Sequence, residues 1–150
     1  MTFIPDKPVL TRDQILPFIP QREPMVFVDT FYGMIGDSQY SSLLVTPDMV
    51  FVEDGKLLDI GLIEFLSQSG YVWFSYREKV LLQKSDLENT KGYLCKIKNV
   101  HVSDTPCTGT RIYSKMDVFF FSSSFSTMHL TAYTEHGTLA EGDFDVISMN

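Results

Sequence analysis

Leu57-Leu-Asp-Ile-Gly-Leu-Ile-Glu-Phe-Leu-Ser-Gln-Ser-Gly-Tyr-Val-Trp-Phe-Ser-Tyr76 reads as one long helix, apolar on nearly every side, with a carboxylate, Glu64, set deep inside it. A helix that is hydrophobic all round is buried, not laid on a surface. Asp59, Glu64, Ser67, Gln68, Ser69 and two glycines interrupt it too often for a membrane span, which needs about 20 predominantly apolar residues. The expected picture is a central helix wrapped by the rest of the chain.

Composition fits that picture. A chain of 150 residues, 44% hydrophobic and 21% charged, is long enough to bury a core and too apolar to be disordered; one domain is expected over 1–150, with residues 1–10 as an arm. Twelve phenylalanines and seven tyrosines favour strand-rich packing or an aromatic-lined pocket. The net charge of −7 argues against nucleic acid or an anionic membrane as partner, and lets an acidic carrier protein dock only on a local basic patch. Cys95 and Cys107 are read as reduced thiols. Met1-Thr-Phe-Ile-Pro-Asp6 has neither the basic start nor the apolar run of a secretory signal, so a cytoplasmic location is expected.

Outward from the helix, Thr11-Arg-Asp-Gln14 has capping-box form and predicts a short helix through about Pro17. Met25 to Tyr32 is β-branched and aromatic and predicts a strand, Gly33 to Asp37 a turn, and Ser38 to Thr46 a second strand. Pro47 to Gly55 reads as a loop. The helix is expected to end near Lys79, where Arg77 and Lys79 suit the negative end of its dipole, followed by a polar surface excursion over 80–90. Four further strands, Tyr93–Val102, Arg111–Phe121, Phe125–Thr134 and Thr138–Ser148, are expected to form a meander. Two strands, a long apolar helix and four more strands make an α+β arrangement. A sheet wrapped around one long central helix is the hot-dog architecture. Its strand edges lie open unless two such sheets pair side by side, so a dimer is expected.

The strings also resemble a family. Ile19-Pro-Gln-Arg-Glu-Pro-Met-Val-Phe-Val-Asp29 is similar to the "LPHRxPhhhhD" entry of the β-hydroxyacyl-acyl-carrier-protein dehydratases, and Glu64-Phe-Leu-Ser-Gln68 resembles their "E-A-h-A-Q" helix signature. The dehydratase-like branch of aryl-polyene pigment clusters is closer still. Its "F-A-D-G-x-h-P-A-W-x-G-I-E-Y-M-A-Q" segment is matched in spacing by Phe51 through Gln68, including Gly61 three residues before the glutamate, and Lys91-Gly-Tyr-Leu94 also looks like that branch. The resemblance runs from Leu16 onward. It implies a hot-dog fold and an acyl thioester, on acyl carrier protein or coenzyme A, as substrate. Asp29 and Gln68 match the pattern, and Gln21 stands where many relatives have histidine. One departure matters most. The dehydratases carry a "G-H-F-P" loop whose histidine removes the α-proton, and Asp48-Met-Val-Phe-Val-Glu-Asp-Gly55 contains none.

Dehydrating a β-hydroxyacyl thioester needs a base for the α-proton, an acid for the departing hydroxyl, and donors to the thioester carbonyl. Glu64 is the candidate acid, desolvated by Leu62, Ile63, Phe65 and Leu66. Gln68, one turn on along the same face, can hold its carboxyl. Gly61, one turn before, leaves the backbone open for a thioester to approach; Phe51 and Asp59 join it as candidate substrate-binding residues. The competing reading makes Glu64 a structural residue satisfied by Gln68 and backbone groups. Tyr71, Trp73 and Phe74 are candidates, with Phe51, to line an acyl tunnel, although core packing is the commoner role of such residues. Lys96, Lys98, Arg22 and Arg111 are candidate contacts for a phosphate or an acidic carrier, with solvated strand positions as the bland alternative. His101, His129 and His136 are 28 and 7 residues apart, on different elements, so no metal and no cofactor is expected and none of the three is a persuasive base.

Three functions follow. The first is a dehydratase-like enzyme, a hydro-lyase, with Glu64 as acid. The second is a catalytically silent subunit that binds an acyl chain or pairs with an active homologue, as a homodimer or a heterodimer with a related hot-dog chain. The third is a thioesterase in which Glu64 activates water.

Overall fold

Ile112, Ser114 and Met116 are buried while Arg111, Tyr113 and Lys115 between them are only partly so, and Ser126, Met128, Leu130 and Ala132 alternate with Thr127, His129 and Thr131 in the same way. Period-two burial of this kind is what a sheet covered on one face demands. A computed structural model, which describes residues 2–83, 91–122 and 124–149, shows what covers it. The strands are β1 (Thr30–Ile35), β2 (Ser38–Leu44), the two-residue β3 (Val52–Glu53) and β4 (Lys56–Leu57), then β5 (Lys91–Val102), β6 (Arg111–Phe121), β7 (Phe125–Thr134) and β8 (Gly137–Met149). All but β3 and β4 form one antiparallel sheet in the order β1-β2-β6-β7-β8-β5.

A short helix, α1 (Arg12–Ile15), runs into a 3-10 turn, Leu16–Phe18. At its start Gln14 Oε1 accepts from the Thr11 backbone N–H at 3.0 Å, the reach-back half of a capping box. The long helix α2 spans Asp59–Tyr76 and widens into a π-helical turn over Arg77–Leu81. Leu62, Phe65, Leu66 and Val72 are fully buried and share one core with Phe27, Leu43, Ile112, Met116, Leu130 and Phe144. Glu64 is half-buried, so the carboxylate lies less deep than its neighbours in sequence imply. None of the described helices is long and apolar enough to cross a membrane.

Four expectations change. Met25 to Asp29 is not a strand, although Val26, Phe27 and Val28 are buried. Two of its backbone groups bond to α2 instead: Phe27 N–H donates to Gln68 Oε1 at 2.7 Å, and Met25 O accepts from Gln68 Nε2 at 2.8 Å, while Asp29 N–H alone reaches β2, at Ser42 O. Gly33 is inside β1, where the pairing with β2 shifts register; its φ of +72° suits glycine, and a Cβ there would stand 3.2 Å from Val9 Cγ2. Nor do the last four strands form a simple meander. Strands β6, β7 and β8 do, but β5 pairs with β8 at the far edge, and the chain returns through 103–110 to lay β6 beside β2. That return is held by Leu57 N–H donating to Pro106 O at 2.9 Å and by a bridge between Lys56 and Cys107. The expected loop over 47–55 contains β3 and the turn at Asp54 and Gly55, both at positive φ, that pairs β3 with β4. The stretch 84–90 of the expected excursion lies outside the described residues.

The two sheet edges differ. At β1 the arm covers the edge: Phe31 N–H donates to Leu10 O at 2.9 Å, and Phe3 sits edge-on to Tyr40 at 5.2 Å on the sheet face away from α2. Tyr32, Tyr40, Tyr113 and Tyr133 cluster there, and burial pushes the Tyr133 and Tyr113 phenols above their ordinary value. At β5 Tyr93, Leu94, Ile97 and Val100 are 38–47% exposed.

Candidate functional site

Successive turns of α2 place Glu64, Ser67, Tyr71 and Phe74 on one stripe. The stripe runs about 15 Å, ten residues at the helical rise, along one wall of a cavity of about 240 Å³. Gly92, Tyr93 and Leu94 of β5 form the opposite wall, and Met128, Leu130, Phe144 and Val146 supply the sheet side. Pro20 and Gln21 complete it. The cavity is therefore mostly apolar, with a few polar groups, which is the usual make-up of a small-molecule site.

Glu64 is the acid in this wall, and Gln68 is the reason it is fixed. Gln68 is fully buried and uses its whole amide: Oε1 accepts from Phe27 N–H, while Nε2 donates to Met25 O and to Glu64 Oε1, each at 2.8 Å. With Oε1 accepting from Gln68, Oε2 is the carboxyl oxygen left for a ligand. Ser67 Oγ is turned back to Ile63 O at 2.9 Å and is not poised as a nucleophile. Gln21 Oε1 is buried and has no hydrogen-bond partner among the described residues, so an acceptor is left open in a wall shared with Glu64.

The other site candidates fall elsewhere. Gly61 is packed under Leu57: a Cβ there would lie 2.8 Å from Leu57 Cγ and closer still to its Cδ1, so the missing side chain makes room for Leu57 and not for a thioester. Phe51, at φ +69°, stacks on Phe27 with ring centroids 5.6 Å apart. Asp59 is an exposed residue in the first turn of α2, where a negative charge suits the dipole. None of the three lines the cavity. Of the tunnel aromatics, Tyr71 and Phe74 line it, whereas Trp73 joins the core beside Phe31 at 6.5 Å. Among the basic candidates, Arg111 is taken by Asp29 at 2.7 Å, Lys98 meets Asp145 at 3.3 Å, and Arg22 donates to Ile19 O at 2.8 Å; Lys96 is exposed on β5.

No histidine lines the cavity among the described residues. His129 is held on the other face of the sheet by Asp143 at 2.7 Å, His101 is exposed on β5, and His136 is exposed beside Glu135. In the 48–55 segment Asp48 accepts from Thr46 Oγ1 at 2.7 Å, and that bond holds its carboxyl below the usual value. No group of three or more His, Cys, Asp or Glu side chains among the described residues is arranged to hold a metal.

Helical spacing from Glu64 marks Ser67, Tyr71 and Phe74, because residues three and four apart share a face. Met128, Leu130 and Phe144 carry no such signal; they reach the cavity only through the strand order.

No family model and no curated protein sequence matches the chain. Solved structures do. The dehydratase heterocomplex ApeI:P from Xenorhabdus doucetiae superposes with a TM-score of 0.78 at 18% identity over 91% of each chain. A thioesterase from Pseudomonas aeruginosa superposes at 0.68 with 9% identity, over 94% of this chain and 95% of that one. A hypothetical thioesterase solved with coenzyme A from Streptococcus pneumoniae does so at 0.59 with 11% identity, over 80% and 84%. These are hot-dog proteins, and the fold of this chain is the hot-dog fold. Dehydratases and thioesterases both occur among its structural neighbours.

Proposed function

We propose that this chain is a dehydratase-type hot-dog subunit acting on β-hydroxyacyl thioesters carried by acyl carrier protein or coenzyme A. The observation that carries the reading is a carboxyl fixed by a buried amide, Glu64 by Gln68, in the wall of an otherwise apolar cavity. In the reaction a base removes the α-proton, the β-carbon–oxygen bond breaks, and Glu64 passes the proton on Oε2 to the leaving hydroxyl. The products are the enoyl thioester and water; the base keeps the α-proton, and Glu64 regains its own from solvent. Gln68 does not touch substrate and acts as a positioning residue. The acyl chain lies along the α2 stripe against Tyr71, Phe74 and the sheet.

A second reading is favoured by one feature: no histidine lines the cavity among the described residues. The chain then supplies half of a site and pairs with a related subunit that brings the base. The β5 edge beside the cavity, which no strand covers among the described residues, is where such a chain would dock.

The test assays the purified chain with β-hydroxyacyl thioesters, alone and mixed with a histidine-containing homologue. Enoyl thioester should form and should fall by about 10²–10⁴-fold in Glu64→Gln, the usual worth of a general acid. Turnover by the chain alone supports a complete enzyme, and turnover only in the mixture supports the paired subunit. Unchanged turnover in the mutant removes Glu64 from the mechanism, and release of free thiol points to a thioesterase.

A further inference from the structure

Two glycines interrupt α2, and they are there for opposite reasons. Gly61 has no room for a side chain, because Leu57 is packed onto it. Gly70 has room. A Cβ there would meet Met128 Sδ at 3.6 Å, Met116 Sδ at 3.7 Å and Leu130 Cδ1 at 3.7 Å, all ordinary van der Waals distances. Gly70 also sits inside α2 and has no positive φ, so its backbone does not call for glycine. A glycine inside a helix is less stable than an alanine, because it loses more backbone freedom on folding. Neither packing nor backbone conformation therefore accounts for it. What an alanine would take away is space, and the space belongs to the cavity: Gly70 lines it between Ser67 and Phe74, with Gly92 of β5 in the same lining.

We propose that Gly70 sets how long an acyl chain the cavity accepts. The inference rests on reading the cavity as an acyl site, as above. Next to Gly70 the cavity is lined by Met128, whose thioether is flexible and yields to a chain end. A β-carbon at position 70 narrows the bore just there. A short acyl group held near Glu64 would not feel it, whereas a longer one would have to leave methylenes in water. Each displaced methylene weakens binding by about fourfold.

The experiment titrates a series of straight-chain acyl-coenzyme A thioesters, lengthened two carbons at a time, into the wild type, Gly70→Ala and Gly70→Leu. Thermal unfolding is measured on the same samples. Gly70→Ala should raise Tm by about 2–4 °C, the shift expected when a helix-interior glycine is relieved in a chain of this size. It should bind short chains as the wild type does while losing the longest, and Gly70→Leu should stop at a shorter chain still. Should the leucine variant fail to fold, the alanine variant carries the test alone. An unchanged length cut-off in Gly70→Ala overturns the inference while leaving the acyl site standing. A wild type that binds no member of the series overturns both.

Discussion

Gln68 shows how much one side chain can hold. Its amide closes three hydrogen bonds, two of them to the backbone of Met25 and Phe27, in a stretch that no strand pairs. An N–H and a carbonyl buried without partners would each be destabilising, so the amide substitutes for a ladder. Gln68→Leu keeps the volume and removes every bond. It should destabilise the protein by about 3 kcal/mol, the sum of two orphaned backbone groups, read as a lower urea midpoint. It should also free Glu64, so that any turnover falls further than the loss of folded protein explains. The i, i+4 spacing made the Glu64–Gln68 pair legible in the sequence. The bonds to Met25 and Phe27 were not, because those residues carry strand propensity and are buried as a strand would be; only their hydrogen-bond partners differ. Gly61 misled for a related reason: a sequence records that a side chain is missing, but not what fills the gap.

Among the elements, α2, β6 and β7 could be read directly. A helix buried nearly all round and two strands that alternate over Arg111–Met116 and Phe125–Ala132 leave little room for a competing period. The outward side of β7 and β8 carries a polar ladder that alternation implies without assigning its pairs. His129 faces Asp143 across the strands at 2.7 Å and lies 3.7 Å from Glu141, with Asp117 opposite on β6; Asn99 reaches Asp143 from β5 at 2.8 Å. Neighbouring Asp145 takes Lys98 at 3.3 Å. The Asn99 bond, then the His129 bond, hold the Asp143 carboxyl below its ordinary value of 3.8. A depressed carboxylate stabilises the fold while it is charged, and that gain is lost as pH falls through the folded value. Stability measured by urea should therefore drop more steeply below about pH 4 in the wild type than in Asp143→Asn. Because the ladder is partly exposed, the difference should shrink in high salt.

At the level of the whole molecule, the helix, the sheet and their α+β packing were readable, while the order of strands was not. Local patterns say where a strand lies and which face is apolar, but they are silent on which neighbour it takes. The position of β5 follows from long-range pairing with β8, and with it come Gly92, Tyr93 and Leu94 of the cavity wall. The sheet consequently has one edge covered by the arm and one that no strand covers among the described residues, with exposed Tyr93, Leu94, Ile97 and Val100. An open, partly apolar edge is a pairing surface. The purified chain should run as a dimer in light scattering, and Ile97→Lys combined with Val100→Lys should shift it to the monomer with its far-UV circular dichroism unchanged.

The same placement has a consequence in time. Strand β5 emerges from the ribosome 38 to 58 residues before the β8 residues it pairs with, counting from Val102–Ala140 to Lys91–Met149. At about 5–20 residues per second, β5 waits roughly 2–12 s with neither side bonded, longer than most elementary folding steps take. Lys96 and Lys98, set among its apolar residues, are well placed to keep that waiting strand from sticking to other nascent chains.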